Sequence, residues 1–179
     1  MTKKMIIIPL ILALLVTGCI VTGNILIVIE LKEDKHLTTN DSFDKWLVSK
    51  DDPDNQEWRD HEDDINHIVD VGFAVTLDNS ASDYDATGEF YISKDGNLSA
   101  DDLHPDSSNA YIILSGLVVG ARETRKITWQ ESYDFLSNFK ALKQFGMDGE
   151  FWLYVKGVET PLDLWARNVA VIITLNAKP

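Results

Sequence analysis

Seven short runs rich in β-branched and aromatic residues, separated by turn signals, constrain this chain more than any other feature. Asn24 to Leu31 (NILIVIEL), Phe73-Val75-Leu77, Phe90-Ile92, Ala110 to Leu114, Arg125 to Trp129, Glu150 to Gly157 (EFWLYVKG) and Asn168 to Leu175 (NVAVIITL) are strand-like in length and composition. Several alternate apolar and polar residues, so each would bury one face. No strand–helix–strand alternation occurs, and turn residues recur at short spacing. The economical architecture is therefore a mainly β, antiparallel sandwich decorated with helices. Gly116-Leu117-Val118-Val119-Gly120 reads as a turn between two of the runs.

Helical spacing is confined to three places. Thr39 or Asn40 is placed to cap a short helical turn carrying Phe43, Trp46 and Leu47. Asp54 and Glu57 have capping-box spacing ahead of Trp58, His61, Ile65 and Ile68, which share one helical face and leave Asp60, Asp63 and Asp64 to solvent. Thr128 and Glu131 repeat that spacing before a long helical stretch to Phe145, with Leu136, Phe139 and Leu142 on one face and Gly146 placed to end it.

The first 18 residues follow a different logic. Lys3 and Lys4 precede an apolar run from Met5 to Val16, and Leu15-Val16-Thr17-Gly18-Cys19 resembles the lipobox of bacterial lipoproteins. The resemblance implies cleavage before Cys19, a diacylglyceryl thioether on its sulfur and an acylated amino terminus, a multi-chain anchor that holds stably where one acyl chain would not. A transmembrane reading fits less well, because Thr17, Gly18, Thr22, Gly23 and Asn24 interrupt the apolar stretch short of the roughly 20 residues a span needs. Ile20 follows the cysteine, where an aspartate would resemble an inner-membrane retention signal. In a diderm cell that points to the outer membrane. The organisation expected is a signal peptide at 1–18, a lipid-anchored tether at 19–23 and a single domain at 24–179.

Cys19 is the sole cysteine, so once acylated it leaves no thiol for disulfide, redox or nucleophilic chemistry. Without the leader, 14 basic groups face 29 acidic ones, a net charge of −15. That field repels phosphate backbones, which excludes nucleic acid as a partner, and favours cations or basic proteins. The 161 remaining residues suffice for one domain with a substantial core.

From Val71 to Trp129 the order of features resembles the immunoglobulin-like cell-adhesion-related (CARDB) domains of bacterial surface proteins. The matching residues are a strand into Asp78-Asn79, then Gly88-Glu89-Phe90-Tyr91-Ile92-Ser93-Lys94-Asp95-Gly96-Asn97-Leu98-Ser99, Asp101-Asp102, and Leu117-Val118-Val119-Gly120-Ala121. Gly149-Glu150-Phe151-Trp152-Leu153-Tyr154 fits the glycine and aromatic strand with which such domains continue. The resemblance implies an immunoglobulin-like sandwich, here with N-terminal helices over 40–70 and a helical insertion after Trp129. The strand order is also similar to that of water-stress and late-embryogenesis sandwiches, so the fold alone names no ligand.

Candidate metal ligands come from two acidic loops. Asp95 to Leu103 reproduces the second half of an EF-hand loop, but Tyr91 and Ser93 stand where its first oxygens should be. Asp83-Tyr84-Asp85-Ala86-Thr87-Gly88 fails at its twelfth position, Lys94. Asp78, Asp83, Asp85, Asp95, Asp101 and Asp102 would hold calcium only if both loops met in one coordination sphere; otherwise they are turn residues that bond their own backbone. His61 and His67, six residues apart, fall on opposite sides of a helix, which argues against a transition-metal site with Glu62, Asp63 and Asp64.

No nucleophile elbow or phosphate-cradling glycine loop is present. Glu89, Glu131 and Glu150 could each be paired with an aspartate, but among 29 acids such pairs arise freely. Strand alternation puts Trp152 and Tyr154 on one face and Phe151 on the other, and Trp129, Trp152 and Trp165 are expected mostly to pack. The function expected is a lipid-anchored, non-catalytic cell-envelope module, structural, adhesive or protein-binding, with an unknown envelope protein or glycan as partner. The alternative is a calcium-dependent carbohydrate- or protein-binding module; an enzyme acting on envelope polysaccharide comes third.

Overall fold

The computed structural model describes residues 24–61, 63 and 68–176. The leader, Cys19 and the tether lie outside them. Two antiparallel sheets pack face to face as an immunoglobulin-like β-sandwich. The first contains β1 (Asn24–Glu30), β2 (Lys35–Thr38), β4 (Ile68–Asp78), β7 (Thr124–Ile127) and β9 (Asp163–Asn176), in the order β1-β9-β4-β7, with β2 also on β9. The second contains β3 (Phe43–Ser49), β8 (Glu150–Gly157), β5 (Ala86–Ser93) and β6 (Tyr111–Val119), in the order β3-β8-β5-β6.

β9 is the spine of the first sheet. Its early residues pair with β2, from Asp163↔Thr38 to Ala166↔Lys35, and its later ones with β1, from Ala170↔Glu30 to Asn176↔Asn24. One fourteen-residue strand thus carries two short ones end to end, over about 45 Å at the usual strand rise. The alternating residues Ile27, Ile29, Phe73, Val75, Leu77, Phe90, Ile92, Phe151, Leu153 and Val155 are all buried in the core between the sheets.

The expected helix around Phe43 to Leu47 is instead the edge strand β3, paired with β8 from Phe43↔Lys156 to Ser49↔Glu150. Phe43, Trp46 and Leu47 fit helical spacing, but the period-two pair Trp46 and Val48 is what enters the core. Pairing with seven residues of β8 satisfies a ladder that a single helical turn could not match. The next helix shrinks to α1 (Gln56–Asp60), which begins after Asn55 rather than from an Asp54 capping box. Trp58 is fully buried as expected, whereas Ile68 belongs to β4 and Ile65 lies outside the described residues.

The long helix from Trp129 divides into α2 (Trp129–Ser132) and α3 (Phe139–Asp148). The Thr128 box forms, with Thr128 N–H donating to Glu131 Oε2 at 2.9 Å. The break has a cause. Ser115 N–H donates to Phe135 O, Ser137 N–H to Ile113 O, and Leu136 bridges Leu114, so this segment covers the open edge of β6. Gly146 does not end α3; it is buried against Ile68 and Ile173, and Gly149, at φ 81°, is the C-terminal cap. Gly116, at φ 73°, lies inside β6, and the turn comes after it, from Gly120 to Glu123. Gly72 lets α2 approach the first sheet, since a Cβ there would overlap the Trp129 indole.

Candidate functional site

Apart from the β1–β2 turn, which lies midway along β9, the connections sort to two ends of the sandwich. At one, β1 begins, β9 ends and α3 packs between Ile68 and Ile173. At the other, the β2–β3, β4–β5, β6–β7 and β8–β9 connections meet. Leu162 N–H there donates to Thr39 Oγ1, Gly157 N–H to Ser42 O and Val158 N–H to Thr87 O.

Asn79 organises this second end. Fully buried after β4, its Nδ2 donates to Tyr84 O (2.8 Å) and Gly120 O (3.0 Å), while its own N–H donates to Glu123 O. One side chain therefore ties the β4–β5 loop to the β6–β7 turn. Sequence reasoning passed over it, because Asp78-Asn79-Ser80 looks like any turn.

The six candidate calcium ligands do not converge. Asp78 accepts from Ser80 N–H and Thr124 Oγ1 and pairs with Arg167 at 3.1 Å; the Ser80 bonds foremost hold its carboxyl below the usual range. Asp83 pairs with Arg122, and Asp85 accepts from Ala121 N–H. Asp95 accepts from Asn97 N–H, and Asp102 from the Ser99 backbone and hydroxyl, which lower its pKa. Asp101 sits beside it in a single 3-10 turn, Ala100–Asp102. The two loops leave β5 at opposite ends, and among the described residues no three His, Cys, Asp or Glu side chains gather as a metal site. Asp78, Asp95 and Asp102 bond the backbone of their own turns, whereas Asp83 and Asp85 reach across to the β6–β7 turn. Of the acidic helix candidates, His61 and Asp63 are described, and Glu62, Asp64 and His67 are not.

The stretch that resembles half an EF-hand is a strap across the outer face of the second sheet. Leu98, Leu103 and Ala110 descend from it onto Tyr91 and Tyr154 to make a second, smaller apolar core, with Trp152, Phe43 and Ile112 at its margin. Tyr154 donates its hydroxyl to Asp95 O at 2.8 Å, and Lys156 Nζ donates to Leu103 O at 2.6 Å and Ala100 O at 3.0 Å. Lys45 Nζ bonds Gly96 O and stands over the Trp152 ring. Gly96 is required because its backbone lies against that ring. Burial raises the Tyr154 phenol; burial first, and then the Glu89 carboxylate to which it donates, raises that of Tyr91. Trp152 and Tyr154 do share a face, as alternation required, and the strap occupies it. A groove of about 480 Å³ remains between the strap and the β2–β3 turn, lined by His36, Asp41, Phe43, Asp44, Lys45 and Asn97.

On the outer face of the first sheet, His36 stacks on Trp165 with centroids 4.1 Å apart and bonds Asp163, and Arg167 lies on the same indole. Each polar member of this row has a partner, which suits a surface ladder better than an acid–base pair. Among the described residues no helix is long and apolar enough to cross a membrane. No protein-family model and no curated protein matches the chain.

Proposed function

We propose that this chain is a lipid-anchored cell-envelope protein whose sandwich is a non-catalytic adhesive or protein-binding module. What carries the reading is the Leu15–Cys19 pattern, and the short distance from Cys19 to β1 says which end of the fold it would anchor. Asn24, already paired in β1, is five residues past the cysteine, and five residues span at most about 17 Å. An acyl group on Cys19 would hold the α3 end of the sandwich against the bilayer and turn the Asn79 end outward. In a diderm cell, Ile20 after the cysteine favours the outer membrane.

The outward end suits contact with a protein. Val118 and Val158, 46% and 48% exposed, flank Thr87 on one face, and Tyr84, 59% exposed, stands on the neighbouring loop. Asp83, Asp85, Glu123 and Glu159 lie on the same connections, together with Arg122, which pairs with Asp83, and Arg125 in β7 donates to Val118 O. Apolar anchors inside a rim that carries both charges fit a protein partner with apolar groups framed by polar and charged ones. Membrane fractionation tests the anchor. The native chain should sediment with membranes and yield an acylated Cys19 peptide, and Cys19→Ser should release it to the soluble fraction. A native chain that is soluble and unacylated would overturn the reading.

A further inference from the structure

We infer that Asn97 is an acceptor for N-linked oligosaccharide, an inference that rests on the export proposed above. Of ten asparagines, only Asn40 and Asn97 are followed two residues later by a hydroxyl residue with no proline between, the arrangement an oligosaccharyltransferase needs. Asn97 has a further feature. Asp95 stands two positions before it, giving Asp95-Gly96-Asn97-Leu98-Ser99, the extended acidic pattern that bacterial transferases read; Asn40 has Thr38 there.

The fold presents this pentapeptide well. It lies on the strap, a loop rather than a strand or helix interior, with Asp95, Asn97 and Ser99 exposed and Leu98 buried as the anchor between them. The Asn97 backbone N–H is held by Asp95, whereas its side-chain amide makes no hydrogen bond among the described residues. A sugar on that nitrogen displaces no packing. It would extend beside the groove lined by Asp41, Phe43 and Lys45.

The co-reactant is a polyprenyl-pyrophosphate-linked oligosaccharide. Asn97 Nδ2 attacks C1 of its first sugar, the C1–N bond forms, and the C1–O bond to phosphate breaks. The polyprenyl pyrophosphate departs with that electron pair, and one amide proton is released.

The test is peptide mass analysis of the chain recovered from the cells that make it, covering Cys19, Asn40 and Asn97. The expected result is sugar mass on the Asn97 peptide, abolished by Asn97→Gln and by Asp95→Ala and unchanged by Asn40→Gln. Because the Asn97 amide is unbonded, Asn97→Gln folds, and an unchanged melting curve checks this. An acylated Cys19 peptide with bare Asn97 overturns the glycosylation and leaves the anchor standing. Sugar on Asn97 without lipid on Cys19 does the reverse, and a chain that keeps residues 1–18 and carries no sugar overturns both.

Discussion

Asn79 shows how much one buried polar side chain can hold. Its buried Nδ2 donates to the Tyr84 and Gly120 carbonyls, so Asn79→Ala removes both bonds across the two loops and leaves each carbonyl only its local donor, Ser82 Oγ and Glu123 N–H. The expected cost is about 1–3 kcal/mol, read as a lower urea midpoint with an unchanged slope. Asn79→Asp should cost no less, because it removes the amide donor and adds a carboxylate beside carbonyl oxygens. Gly72 and Gly146 work by what they lack, since each admits a neighbour that a side chain would push away or crowd. Neither role shows in the sequence, where a glycine in a strand or helix reads only as an interruption.

At the scale of elements, period-two runs were legible and mixed-period runs were not. β8 spans Glu150–Gly157 as its composition required, and β4 buries Phe73, Val75 and Leu77 on one face. Residues 43–49 satisfy both periods, and the choice between them was made by β8, which offers an edge with unpaired backbone groups. Residues 129–145 have the caps and apolar spacing of one helix, yet the β6 edge draws Phe135 to Ser137 out of it. The strap illustrates the same dependence. Its turn residues are local, whereas its position follows from Tyr91, Tyr154 and Lys156, which belong to other strands. Gly96→Ala should force the strap off Trp152 and lower stability by about 1–3 kcal/mol. Near-ultraviolet circular dichroism should report the changed indole environment while far-ultraviolet signal persists.

For the whole molecule, titration sets a stability window. Asp78 and Asp148 have lowered carboxyl values, Asp78 through Ser80 and Asp148 through Gln144 and then Lys94. Groups lowered on folding stabilise fully above their ordinary value of 3.8 and lose that contribution as pH falls through the lower folded value. Tyr91 and Tyr154 are raised from 10.0, so their contribution is complete below that pH and declines as pH rises toward their folded values. Urea midpoints measured from pH 2 to 11 should form a plateau that falls below about pH 4 and above about pH 10. A midpoint still rising from pH 10 to 11 would contradict the burial of these phenols. By itself the sequence determined that the chain is a strand-rich, acidic sandwich, because alternation and charge are local and additive properties of residues. It also held the Leu15–Cys19 pattern on which the anchor is proposed. Only the tertiary structure decided that the acidic loops stay apart, that the strap closes a second core and that four connections form one end. Those outcomes depend on which distant strands pair, and pairing is settled by shared burial across the sheets rather than by any segment alone.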